Sequence, residues 1–231
     1  ISDIISVGLQ SLSSSDSTMF NLDIGTVYID LNSSDVLRVE DSFFNSITIE
    51  CADTLYFQGN NLLCADGDRA SIKASHLEFE MEESQVTGMQ STNAALALEG
   101  LESLEGTLTN IEVDSNAGKG VEINLNNNEP TSFMDVDLSH VNIHHNSGVG
   151  LYLTCPVSGG LVDVTNSLIT NNEGDGIQTW VPSKLDYLTI LDWIILISYV
   201  YATIPNFLSI ITFRLYKANK VALIDLIDQK S

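Results

Sequence analysis

Crosslinking residues are scarce in this chain, which has three Cys in 231 residues, at Cys51, Cys64 and Cys155. With no Cys-x-x-Cys pair and no His at zinc-ligand spacing, they exclude a structural zinc site, and an odd count excludes a fully paired disulfide framework. They read as small hydrophobes buried on strand faces, with a Cys51–Cys64 disulfide left open for an exported protein. Positive charge is equally scarce: nine Lys and Arg stand against 31 Asp and Glu, a net charge of −22. A field of that sign repels a phosphate backbone, so nucleic-acid partners are excluded. Acidic chains are often disordered, but 44% hydrophobic residues in regular alternation argue otherwise. The chain opens Ile1-Ser-Asp, without Met and without a basic segment leading into an apolar run. The expectation is a processed product or a fragment.

Useful helical periodicity is also missing from about Phe20 to Pro182. In its place the chain alternates at period two, as in Thr26-Val-Tyr-Ile-Asp-Leu31, Ser46-Ile-Thr-Ile-Glu50, His76-Leu-Glu-Phe-Glu80 and Val121-Glu-Ile-Asn-Leu125. Runs of that kind are strands with one face buried. Their outward partners are mostly Asp, Glu, Asn, Thr and Ser, which puts the negative charge on the outside.

One phrase recurs among these strands. Asn110-Ile-Glu-Val-Asp-Ser-Asn-Ala-Gly-Lys-Gly-Val-Glu-Ile123 is answered by His140-Val-Asn-Ile-His-His-Asn-Ser-Gly-Val-Gly-Leu-Tyr-Leu153 and by Asn166-Ser-Leu-Ile-Thr-Asn-Asn-Glu-Gly-Asp-Gly-Ile-Gln-Thr179. The shared Asn116, Asn146 and Asn172 recur at nearly even intervals, the mark of one supersecondary unit copied and stacked. Shifting the phrase back by one such interval aligns Asn93 with Gly118 and Ala95 with Gly120, and a further shift puts Leu62 and Ile72 at the positions of Val86 and Leu96. The spacing predicts roughly six copies of the unit over 20–182.

A unit of strand, turn, strand and turn buries no core alone and must stack on its copies as parallel coils. Gly118, Gly120, Gly148, Gly150, Gly174 and Gly176 would supply positive φ at the corners. Asn116, Asn146 and Asn172 would hydrogen-bond up the stack, as identical Asn side chains do between stacked strands. The Gly-x-Gly is no nucleotide fingerprint, since no helix follows and the third glycine is missing.

These phrases resemble the right-handed parallel β-helix repeats of the pectate-lyase-like superfamily. The resemblance implies an all-β fold with three sheets per coil. It leaves activity open, because that superfamily holds lyases, hydrolases, epimerases, adhesins and tailspikes. Its lyases use Ca²⁺ with an Arg base, yet the repeats here hold only Arg38 and Arg69, in no recognisable motif. The polygalacturonase signatures Asn-Thr-Asp, Asp-Asp, Gly-His-Gly and Arg-Ile-Lys are missing.

Three histidines and several carboxylates are candidate chemistry. His140, His144 and His145, with Asp114 one coil below His144 and Glu112 below Asn142 by the repeat register, form a candidate cluster for acid–base or metal chemistry, in which His140, His144 and Asp114 are the catalytic candidates. Asp135, Asp137, Asp163 and Asp175 are candidate Ca²⁺ ligands through their oxygens. Each also reads as ordinary outward polarity.

Composition divides the chain into a Ser-rich entry at 1–19, the β-helix at 20–182 and a hydrophobic end at 183–231. The run Trp193–Phe213 carries no charge, and Arg214, Lys217 and Lys220 follow it. That length and flank predict a membrane-spanning helix with the acidic coils outside the cell. A helix capping the open end of the solenoid is the alternative, favoured by Pro205-Asn206 in mid-run. The function expected is a non-catalytic secreted or cell-surface module that uses an acidic face for adhesion or glycan binding. Its partner would be a polysaccharide or another surface protein. The alternative is a divergent or truncated polysaccharide lyase or glycoside hydrolase.

Overall fold

A computed structural model of the chain describes residues 16–196 except 32, 128, 130, 156–159, 182, 187, 188, 191 and 192, and over 183–196 it describes the backbone alone. Every regular element in it is a strand, and every pairing is parallel. The strands wind as a β-solenoid with three faces, each coil contributing one segment to each face. On the third face the register links 26–31, 46–51, 70–74, 96–100, 121–125, 151–154, 177–179 and 194–196 into one ladder. Seven of those rungs lie within 20–182 and are joined by six turns, in line with the roughly six copies that the repeat predicts. The first coils are short: the path from Val27 to its partner Ile47 is only two-thirds as long as the path from Val121 to its partner Leu151.

The first face links 54–60, 76–82, 103–109, 133–139, 160–165 and 183–186, with Asp16–Phe20 along 36–40 below it. The second face is narrower and joins 63–65, 85–87, 112–114, 142–144, 168–170 and 189–190. Alternation decides which side chains enter the solenoid. Inward residues form columns of like shape, such as Ile29, Ile49, Ile72, Leu98, Ile123 and Leu153, all at most 2% exposed. Burying each such side chain is worth about 1.5–3 kcal/mol, and no coil gains that without its neighbours.

Three sequence alignments shift by two residues against the structure, the first of them because Ile72 pairs with Leu98 and leaves Ala70 beside Leu96. Val86 pairs with Val113 rather than Ile111, and Cys64, not Leu62, lies beside Val86. On the third face Leu96 does pair with Val121, as the backward shift predicts. The difference is corner length: six residues separate Thr87 from Ala94, but four separate Asp114 from Lys119. A copy read at constant spacing slips by two wherever a corner gains two residues.

The ladder also runs past 182. Strands Ser183–Asp186, Thr189–Ile190 and Trp193–Leu196 continue all three faces in parallel register. The first four residues of the predicted 193–213 helix are therefore strand, and 197–213 lie outside the described residues. Among the described residues no helix is long and apolar enough to cross a membrane. The three cysteines are buried, and none forms a disulfide, the Cys51–Cys64 bond included. Burial pushes the Cys64 thiol up to about 12.

Candidate functional site

The corner between second and third faces holds the repeated phrase. Asn116 Nδ2 donates to Asn146 Oδ1 at 2.8 Å, and Asn146 Nδ2 donates to Asn172 Oδ1 at 2.9 Å. The second amide protons reach the carbonyls of Val86, Val113 and Ile143 at 3.3, 3.1 and 3.2 Å. Backbone N–H groups of Met89, Asn116 and Asn146 donate to the side-chain oxygens of Asn116, Asn146 and Asn172. At 2%, 0% and 8% exposure these amides are inside the wall and closed to a ligand. Met89, beside Asn116 in the preceding coil, has no polar group, and the ladder stops there.

The glycines of the phrase do a different job from the one predicted. Positive φ at this corner falls on Ser115, His145 and Asn171, the residue before each ladder asparagine, and among described glycines only Gly88 and Gly106 have it. Asn, Asp, Ser and His tolerate that region better than branched residues. Gly118, Gly120, Gly148, Gly150 and Gly174 are glycines because coils touch there. A Cβ at Gly118 would lie 1.8 Å from the Asn93 carbonyl oxygen, and one at Gly150 would lie 2.7 Å from both Asn172 Nδ2 and the carbonyl oxygen of Gly176.

A second corner motif has no counterpart in the sequence reading. Ser42, Ser84 and Ser167 each accept the backbone N–H of the coil below, from Leu22, Leu62 and Val141, at 3.0–3.1 Å. Each also donates to the carbonyl two residues back. The preceding residues Asp41, Glu83 and Asn166 have positive φ. Asn, Asp or Glu followed by Ser was the available signal, diluted by Leu22, Leu62, Ile111 and Val141 at the same position in other coils.

The candidate catalytic trio is not brought together. His144 pairs with Asp114 in backbone register, as predicted, but its Nε2 sits 3.2 Å from Glu112 Oε1. Asp114 instead receives Ser115 Oγ at 2.9 Å and Gln85 Nε2 at 3.4 Å. His144 Nδ1 lies 2.7 Å from His145 Nδ1, with the rings edge to face. His140 stands at the other corner with positive φ, beside Ser139 Oγ at 2.9 Å.

The candidate Ca²⁺ ligands separate in the same way. Asp135, Asp137 and Asp163 are on the first face, with Asp137 paired to Asp163, whereas Asp175 begins a third-face strand. Burial raises the pKa of Asp175. Among the described residues no group of three or more His, Cys, Asp or Glu is arranged to hold a metal.

What the first face does assemble is a field of carboxylates. Its outward columns carry Glu78, Glu105 and Asp135 in one row and Glu80, Asp137 and Asp163 in the next, with Glu82 beyond. Amides and hydroxyls interleave: Gln58 Nε2 donates to Glu80 Oε2 at 2.8 Å, and Arg38 reaches both Gln58 and Asp16. The third face is more nearly neutralised, by Lys73–Glu99 and Lys119–Glu122 pairs at 3.1 Å, with Lys119 Nζ 4.0 Å from the centre of the Tyr152 ring. No family model matches the chain, and no curated protein or solved structure matches it.

Proposed function

We propose that the protein is a β-solenoid binding module, secreted or displayed at a cell surface, whose acidic first face makes adhesive contact with a glycan or with another surface protein. The observation that carries this reading is the ordered field of Glu78, Glu80, Glu105, Asp135, Asp137 and Asp163 on one face, with Thr107 between Glu80 and Asp137 and Gln58 next to Glu80. Parallel rungs repeat roughly every 4.8 Å, so the face offers acceptors at a fixed spacing along one axis. A polymer of hydroxyl or amino groups can meet several of them at once, and each weak contact then adds to the next. The negative field selects neutral or amino-bearing glycans over anionic ones. Likeness to the pectate-lyase-like superfamily, carried by the Asn-x-Gly-x-Gly phrases, supports a carbohydrate ligand by analogy of fold alone.

The test is binding of the full chain to immobilised neutral and amino-bearing polysaccharides, with polyuronates as the anionic comparison. Changing Glu78, Glu105, Asp135 and Asp137 to their amides should weaken the tightest interaction at least about tenfold. Amide substitution of Glu122 on the third face should leave it unchanged. Equal binding by all three proteins, or binding to none of the panel, overturns the reading. A membrane tether through 193–213 is a separate proposal that rests on the uncharged run and its basic flank. Recovery of the full chain in a detergent-free soluble fraction overturns it.

A further inference from the structure

The corner leading from the third face to the first carries a polar group that the acidic-face reading does not use. His76 and Ser103 are register partners in successive coils. Ser103 Oγ lies 3.0 Å from His76 Nδ1, and His76 Nε2 lies 3.3 Å from Glu102 Oε2. One tautomer satisfies both contacts. With the proton on Nε2, the nitrogen that the Glu102 carboxylate faces at ion-pair distance, Nδ1 is bare and accepts the Ser103 hydroxyl.

The backbone explains how neighbours in sequence come to hold opposite sides of one imidazole. Ala74 pairs with Gly100 and His76 with Ser103, so the upper coil has one residue more between the pairs. Such a bulge re-aims a side chain, and here it lets Glu102 reach the far nitrogen of His76. Gly100 permits the fold-back, since a Cβ there would lie 2.4 Å from the Ser103 carbonyl oxygen.

We propose that Ser103, His76 and Glu102 form a nucleophilic site that cleaves short, neutral carboxylic esters. A serine hydroxyl is a weak nucleophile until a base takes its proton, and the arrangement of nucleophile, imidazole and orienting carboxylate is recognised by geometry rather than by fold. Ser103 Oγ bonds to the ester carbonyl carbon while its proton passes to His76 Nδ1. The ester C–O bond then breaks, and the leaving alkoxide takes that proton and departs as the alcohol. Water next attacks the acyl-serine and gives a proton to His76, which returns it to Ser103 Oγ as the carboxylic acid leaves. Glu102 is a positioning residue whose carboxylate, at ion-pair distance from His76 Nε2, favours the proton on that nitrogen and so leaves Nδ1 free to act as the base.

The surroundings set the substrate class. The side chains of His76 and Glu102 are 43% and 59% exposed and open the imidazole to solvent, while Ser103 itself is 8% exposed. Phe133, the partner of Ser103 in the next coil, is 39% exposed and gives an acyl chain an apolar neighbour. Glu78 and Glu105, the next outward residues on the two strands, repel anionic acyl groups. The protein carries its own comparison: Ser139 Oγ lies 2.9 Å from His140 Nδ1, and among the described residues no carboxylate pairs with that imidazole.

The experiment treats the full chain with a fluorophosphonate, which esterifies an activated serine and expels fluoride, and with p-nitrophenyl acetate. Peptide mapping should place the phosphonyl group on Ser103 and not on Ser139. Ser103→Ala should abolish labelling, and His76→Phe should slow it about a hundredfold, the usual scale for loss of a general base. Glu102→Gln, which keeps an acceptor for Nε2–H, should retain more activity than Glu102→Leu. All variants should keep a cooperative unfolding transition with a Tm near that of the unaltered chain, because His76 and Glu102 are exposed and Ser103→Ala removes a single hydroxyl from a residue 8% exposed. The proposal is overturned if Ser103 stays unlabelled and p-nitrophenyl acetate turns over no faster than with Ser103→Ala, or if His76→Phe and Glu102→Leu react like the unaltered chain. The inference does not rest on glycan binding, and either can fail alone.

Discussion

Asn146 is the residue on which most of the corner converges. Its amide donates to Asn172 Oδ1 and the Val113 carbonyl, while its oxygen accepts the amide and backbone N–H of Asn116. All of this occurs at 0% exposure. Asn146→Ala removes one partner from each bond and leaves buried donors and acceptors without water, a penalty of about 1–3 kcal/mol for each group that stays unsatisfied. A total loss of about 3 kcal/mol is expected, which for a domain of this size lowers Tm by roughly 6–12 °C. Calorimetry would read it directly. A shift under about 2 °C, on the same scale, would show that neighbouring groups re-pair on their own. Spacing alone singled out this residue, because identical residues at one corner of a repeat must stack. The role of its glycine neighbours was not legible, since close approach between coils and positive φ call for the same residue type. Only the register showed that Gly118 faces the Asn93 carbonyl and that His145 takes the left-handed conformation.

At the scale of an element, each coil is shaped by what lies above and below it. On the first face Phe57, Phe79 and Gly106 form one inward column. Phe79 is 1% exposed, and a Cβ at Gly106 would lie 2.7 Å from its Cγ. The ring fills the volume that glycine leaves open, so large and small residues in adjacent coils are a matched pair. Phe79→Ala leaves a cavity between rigid rungs that cannot collapse along the hydrogen-bonded axis. It should cost about 3–5 kcal/mol, measured by denaturant unfolding. A cost below about 1.5 kcal/mol would mean that the coils close up. The alternation of His76–Glu80 announced the strand, yet nothing in the sequence tells that Phe79 sits under Gly106. That pairing depends on the bulge at Gly100–Ser103, which also sets Ser103 on His76. Constant-period alignment is blind to a bulge or a lengthened corner, which is why it misplaced Val86 by two residues.

For the molecule as a whole, charge is distributed by face. The first face concentrates carboxylates in adjacent rungs, and the third face pairs Glu99 and Glu122 with lysines. Like charges held at rung spacing repel, and the repulsion is screened as the Debye length falls from about 30 Å at 0.01 M salt to about 3 Å at 1 M. Tm should therefore rise with NaCl between those concentrations. The rise should flatten in the variant with amides at Glu78, Glu105, Asp135 and Asp137. An equal slope in both proteins would place the salt effect elsewhere, in general strengthening of apolar burial.

By itself the sequence determined the winding. Period-two alternation settles which side chains turn inward, and a recurring phrase too short to bury a core alone must stack on its copies, so an all-β parallel solenoid was written in residues 110–179. The tertiary structure alone decided which polar groups meet. Proximity across coils depends on register, and register is altered by single-residue bulges and two-residue corners that no composition or spacing reveals. Thus His144 lies on Glu112, Asp163 and Asp175 stand on separate faces, and Ser103, His76 and Glu102 come together from residues that shared no motif.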